Sequence, residues 1–169
     1  MIRQILLCIT VCVVLFAVSC NGGGEERYLR FRESPFRAQI SGSLNGLRFS
    51  AELCSEDGAQ SICYLSPASL EGITLTRSPD GEFLVASEGI SVDLEEEQME
   101  GLWLPFSLVA EYARELQSVQ KDGEHTHVIL SGDVELILEK DGIPVSVKSP
   151  NAAFAILSWE KMEGDHDEK

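Results

Sequence analysis

Phe36-Arg37-Ala38-Gln39-Ile40-Ser41-Gly42-Ser43-Leu44-Asn45-Gly46-Leu47-Arg48-Phe49-Ser50-Ala51-Glu52-Leu53 is the stretch that decides the fold. Phe36, Ala38, Ile40, Gly42 and Leu44 share one face, and Arg37, Gln39, Ser41 and Ser43 share the other. That is the two-residue period of a half-buried strand. Asn45-Gly46 then supplies the pair that best tolerates the two positive φ angles of a type I′ hairpin turn. Leu47, Phe49, Ala51 and Leu53 resume the alternation. A hairpin closed there sets Leu44 against Leu47, Gly42 against Phe49 and Ile40 against Ala51, with all the apolar side chains on one sheet surface. A one-residue slip would turn every one of them over, so the register is tightly specified.

Downstream the pattern continues as a meander. With a turn at Gly58-Ala59, Tyr64 faces Leu53 on the apolar surface, and Cys54 opposes Cys63 on the other. Outside the cytoplasm such a pair can form a disulfide, and two free thiols are the alternative. Ser66-Pro67-Ala68-Ser69-Leu70-Glu71-Gly72 reads as a connection, because Pro67 cannot donate to a central ladder. Ile73–Arg77 and Glu82–Ala86 flank the turn Ser78-Pro79-Asp80-Gly81. Ile90, Val92 and Leu94 then alternate with polar neighbours, which makes about six strands so far.

The period changes after Leu94. Glu95 to Gly101 is polar and acidic, and Pro105 suits the first turn of a helix. Leu104, Leu108, Tyr112, Leu116 and Val119 recur at helical spacing, which predicts a helix over 105–119. On this reading Met99, Leu102, Trp103 and Leu104 form an apolar loop leading into the helix. Together with Leu108 and Tyr112 they are the candidate surface for a ligand or partner. The alternative is that they pack beneath the helix start as core. The strand period returns from His127 to Leu130 and at Val134, Leu136 and Leu138. After Asp141-Gly142 it resumes, setting Leu138 against Val145 and Leu136 against Val147, and it ends with Ala152, Phe154 and Ile156. The expected fold class is α+β: a mainly antiparallel sheet, a curved meander or half-barrel of about nine or ten strands, with one long helix on one face.

The chain opens with Arg3, an uncharged apolar run from Ile5 to Val18, then Ala17-Val18-Ser19-Cys20 and three glycines. The run is too short to span a bilayer and suits a signal-peptide core. This segment resembles the bacterial lipoprotein signal with its lipobox. The resemblance implies that residues 1–19 are removed and that Cys20 is diacylated as the new N-terminus. It also implies that the chain is held on the outward membrane face. Cys8 and Cys12 fall in the discarded part. Residues 20–35 then read as a tether, 36–160 as one domain, and 161–169 as an acidic tail.

The element order, with Lys140-Asp141-Gly142-Ile143-Pro144, resembles the LolA/LprG-type envelope lipoproteins and small uncharacterised lipoproteins of Gram-positive bacteria. In that fold a helix packs into the concave side of a half-barrel, and binding of a lipid or other apolar ligand is what the resemblance implies. The alternative expectation is a protein–protein interaction module of the cell envelope, with no ligand cavity.

A formal net charge of −15 leaves no electrostatic route to a phosphate backbone, so nucleic acid is excluded as a partner. There is no Gly-x-Ser-x-Gly and no phosphate-cradling glycine loop, and no histidine lies near the cysteines in sequence. No catalytic residue, enzyme activity or cofactor is expected. His125 and His127 point to the same side of a strand start, but a metal site needs a third ligand that the sequence does not identify.

Overall fold

The structure is a computed structural model that describes residues 28–111 and 115–162. Its strands are β1 (Phe36–Leu44), β2 (Leu47–Glu56), β3 (Ala59–Ser66), β4 (Thr74–Arg77), β5 (Phe83–Ser87) and β6 (Ile90–Leu94). Helix α1 (Glu96–Ala110) follows, then β7 (Leu116–Lys121), β8 (Thr126–Leu130), β9 (Val134–Leu138), β10 (Pro144–Lys148) and β11 (Ala152–Lys161). All eleven strands form one antiparallel sheet in the order β6-β5-β4-β3-β2-β1-β11-β10-β9-β8-β7. Two meanders therefore meet at the β1–β11 pair. Helix α1 connects the two edge strands, and its apolar side packs on the sheet's inner face. The expected α+β class and antiparallel meander are those observed.

The founding hairpin has the register its sequence dictates: Leu44↔Leu47, Gly42↔Phe49 and Ile40↔Ala51. Asn45 and Gly46 adopt φ values of 50° and 81°. Gly42 also faces Phe154 of β11, and a Cβ there would overlap the Ala153 carbonyl and the Phe154 backbone. Only glycine lets these strands approach so closely. The rings of Phe49 and Phe154 meet edge-on across it, 6.1 Å apart.

The next hairpin corrects the expected register. It turns at Asp57-Gly58, with φ values of 52° and 79°, and not at Gly58-Ala59. Aspartate tolerates the left-handed region and alanine does not, so the turn settles on Asp-Gly. Tyr64 consequently faces Ala51, Leu53 faces Ile62, Cys54 faces Ser61 and Cys63 faces Glu52. A smaller departure lies in β10. A bulge between Pro144 and Ser146 sets Leu138 against Pro144, while Leu136↔Val147 holds.

The helix is the larger correction. It spans Glu96–Ala110 and not 105–119. Glu95 is its N-cap, in a reciprocal box with Gln98, and Glu96 and Glu97 occupy the first turn, where the helix dipole favours negative charge. Pro105 sits inside the helix and has no N–H to give the Gly101 carbonyl. Leu116 and Val119 belong to β7, which pairs with β8. Hence the strands exceed the expected number.

Of the residues expected to form a tether, the described ones from Tyr28 onward pack against the body. Arg30–Glu33 make a 3-10 turn, and Arg32 is buried. Its Nε donates to the Val109 carbonyl at 2.7 Å and one of its terminal nitrogens to Leu108 at 3.4 Å. These are last-turn carbonyls of α1, which have no partner within the helix, and a guanidinium also complements the dipole there. Tyr28, Leu29 and Phe31 pack against the core beside it.

Candidate functional site

The inner face of the sheet and the underside of α1 are closed by aromatic rings. Phe83 meets Trp103 edge-on at 5.2 Å, Trp103 stacks on Phe106 at 4.7 Å, and Phe106 stacks on Phe36 at 6.2 Å. Phe36 stacks on Trp159 at 4.2 Å, and Phe31 meets Trp159 edge-on at 5.4 Å. This row crosses the molecule between sheet and helix, where a carrier of the half-barrel type would hold its ligand. Such rings bring large buried areas and favourable edge and offset contacts.

Polar groups pin the row at two places. Trp103 Nε1 donates to Glu111 Oε1 at 2.8 Å, and the same carboxylate lies 3.5 Å from Arg77, whose guanidinium sits over Phe83. The Tyr64 hydroxyl donates to the Leu102 carbonyl at 2.6 Å. Burial pushes the Tyr64 phenol well above its usual range, so it stays a proton donor.

The residues singled out from sequence are thus placed differently from the expectation. Met99, Leu102, Trp103, Leu104 and Leu108 all lie on α1 and form no loop. Met99, Trp103 and Leu108 are buried in the core, and Leu102 and Leu104 pack partly buried against it. Three of the five are thus core residues, and Leu102 and Leu104 keep partial exposure. Tyr112 and Cys20 lie outside the described residues, as do residues 1–19 and the tail from 163. Cys54 and Cys63 are both free thiols, on the outer face and diagonal to one another. Burial raises the Cys54 thiol, against a smaller lowering effect from Arg37.

His125 and His127 do not act together. His127, on the outer face of β8, has Nδ1 2.8 Å from Glu135 Oε1 and Nε2 3.2 Å from Asp122 Oδ2. A carboxylate only accepts, so both contacts are hydrogen bonds at once when the ring is the imidazolium. The Glu135 bond, then Asp122, raises the His127 pKa. The Asp122 carboxylate is brought down to about 2, first by the His125 backbone N–H and then by His127. Lys148 stands 3.8 Å from Glu135. Among the described residues no group of three or more His, Cys, Asp or Glu side chains is placed to hold a metal ion.

One uncovered stretch of the inner face lies at the β6 edge, apart from a cleft of about 540 Å³ beside Phe31, Ile143 and Trp159. Ile90 and Val92 continue the inner apolar face beyond the helix, and they are 70% and 52% exposed. Five carboxylate residues, Asp80, Glu82, Asp93, Glu95 and Glu96, line a cleft of about 720 Å³ at the Leu94 end of that strand. Sequence reasoning missed this site. Ile90, Val92 and Leu94 have the alternation of any core-facing strand, and only the topology shows that no described residue covers the first two.

No protein-family model matches the sequence, and no curated protein matches it. Solved structures do resemble the fold. An uncharacterized conserved protein from Thermus thermophilus superposes with a TM-score of 0.54 at 14% identity, over 82% of this chain and 87% of its own. MucB superposes with a TM-score of 0.50 at 14% identity, over 87% of this chain, and this chain spans 62% of MucB. A LolA superfamily protein from Nitrosomonas europaea gives a TM-score of 0.43 at 9% identity, over 82% of this chain and 94% of its own. Another structure shows MucB in complex with MucA(peri), at a TM-score of 0.39 and 17% identity over 83% of this chain and 56% of that one. At these identities the likeness is one of fold.

Proposed function

We propose that this chain is a binding module of the cell envelope, tethered through lipid on Cys20, that recognises a protein partner. On this reading it does not carry a lipid. One observation carries the choice: among the described residues the space between sheet and helix is occupied by the Phe83–Trp103–Phe106–Phe36–Trp159 row, while apolar surface is left open at the β6 edge. A lipid carrier needs the reverse, an empty apolar interior and a closed exterior. A surface apolar patch bordered by charge suits a macromolecular partner. MucB, similar in fold, is itself found in complex with MucA(peri). The tether rests on the lipobox-like segment ending at Cys20. No helix among the described residues is long and apolar enough to cross a membrane.

The test is native mass spectrometry of the domain from residue 25 onward, exported behind a cleavable leader. The bare polypeptide mass is expected, and a stoichiometric co-purified lipid would overturn the reading. For the tether, Cys20→Ser should move the protein out of the membrane fraction. Retention of the cleaved chain in membranes would contradict it.

A further inference from the structure

The two edges of the sheet are not alike. On one side β7 is blunted by a register shift between Leu116 and Ser118 and by Lys121, whose ammonium lies 5.7 Å over the Tyr28 ring. Bulges and edge lysines are the usual devices against unwanted strand addition. On the other side β6 pairs with β5 from Phe83↔Leu94 to Ser87↔Ile90 without a bulge. Among the described residues nothing pairs with its outer edge. It contains no proline and no lysine, and its inner-facing row is Ile90, Val92 and Leu94. Val85, opposite Val92 in the ladder, is partly buried and extends the apolar surface inward. An unpaired backbone edge and an uncovered apolar row therefore coincide on one strand.

Charge narrows the occupant. Asp93 projects from the other face, the acidic cleft lies at the Leu94 end, and Glu88 stands in the turn before Ile90. No Lys or Arg lines that cleft. A second copy of this chain brings the same acidic edge and the same net charge of −15, and its β6 offers no basic residue to meet Asp93 or the cleft.

We propose that β6 accepts an added strand from a partner protein, supplied by an extended segment in which apolar residues alternate with Lys or Arg. The apolar residues cover Ile90 and Val92, and the basic ones face Asp93 and the acidic cleft. Main-chain pairing along β6 supplies affinity, and the alternation supplies register. The inference deepens the binding-module reading and rests on it.

The probe is a fluorescein-labelled peptide of alternating Val and Lys, titrated by anisotropy against the full chain in detergent micelles. Binding is expected, weakening as salt is raised. It should fall by about tenfold or more with Val92→Lys, with Ile90→Lys, or when alternate backbone amides of the peptide are N-methylated. A Val–Glu peptide should not bind, and Leu157→Lys on the outer face should bind as the parent does. Both edge positions are exposed, so these variants should keep the parental thermal transition. Absence of binding overturns the proposal. So does equal binding by the N-methylated peptide, which would mean attraction by charge alone, or by Val92→Lys. A dimer that Val92→Lys dissociates would assign the edge to a second copy and overturn it too. Failure here with lipid-free protein sinks only the β6 site, whereas stoichiometric lipid sinks the module reading itself.

Discussion

The Tyr64 hydroxyl donates a 2.6 Å hydrogen bond to the Leu102 carbonyl, tying the third strand to the middle of helix α1. It is one of the few polar contacts that fix where the helix lies along the inner face. Tyr64→Phe keeps the ring and leaves that carbonyl without its donor. A net loss of about 1–2 kcal/mol is expected. Urea titration should show a lower midpoint with an unchanged slope.

The aromatic row should behave as packing and not as a site. Phe106 is fully buried between Trp103 and Phe36. Phe106→Ala is expected to cost about 3–5 kcal/mol and to leave a cavity. The parent should not bind a small apolar dye in its interior, and the variant should gain binding. A parent that already binds dye stoichiometrically at that interface would contradict the filled core.

Gly42→Ala tests the junction of the two meanders. The added methyl meets the backbone of Ala153 and Phe154, which cannot swing aside as a flexible side chain would. Destabilisation of about 1–3 kcal/mol is expected. Local exchange of amide protons along β1 and β11 should rise more than in β4 and β5.

The pH response of His127 has a definite sign. Glu135 and Asp122 raise its pKa, so its contribution is complete below the free imidazole value of about 6.5 and is lost as pH rises through the raised value. The stability gap between the parent and His127→Gln should be widest in mild acid and close in alkali. Asp122 runs the other way. Its carboxyl is brought down to about 2, so its contribution holds above the ordinary aspartate value and is lost as pH falls toward 2. NMR titration of the His127 ring checks the first statement, and acid unfolding of Asp122→Asn checks the second.

Cys54 and Cys63 should both react as thiols. Alkylation of the unfolded, unreduced chain is expected to add two groups to the tryptic peptide Phe49–Arg77. A peptide that gains neither until reduced would show that the diagonal pair is bridged.

How much was legible depended on whether a signal was local. Asn45-Gly46 fixes its own hairpin, because the turn and the flanking alternation agree. Asp57-Gly58 carries the same information, and a turn placed at Gly58-Ala59 instead moves the cysteines into a false opposition. The helix is misplaced for a different reason. Leu104, Leu108, Tyr112, Leu116 and Val119 lie at helical spacing, yet Leu116 and Val119 are also compatible with a strand, and β8 offers a strand to pair with. The Glu95–Gln98 reciprocal cap was the local sign of the true start.

The amino-acid order by itself determined the antiparallel hairpins, the face each side chain takes and the presence of one helix between two sets of strands. These follow from turn chemistry and from a period of two, which act between near neighbours in the chain. Tertiary structure alone decided that β1 pairs with β11, that Arg32 caps the end of α1, and that Ile90 and Val92 are left bare. Each of those depends on which distant surface arrives, and a repeating apolar pattern looks the same whether or not something comes to cover it.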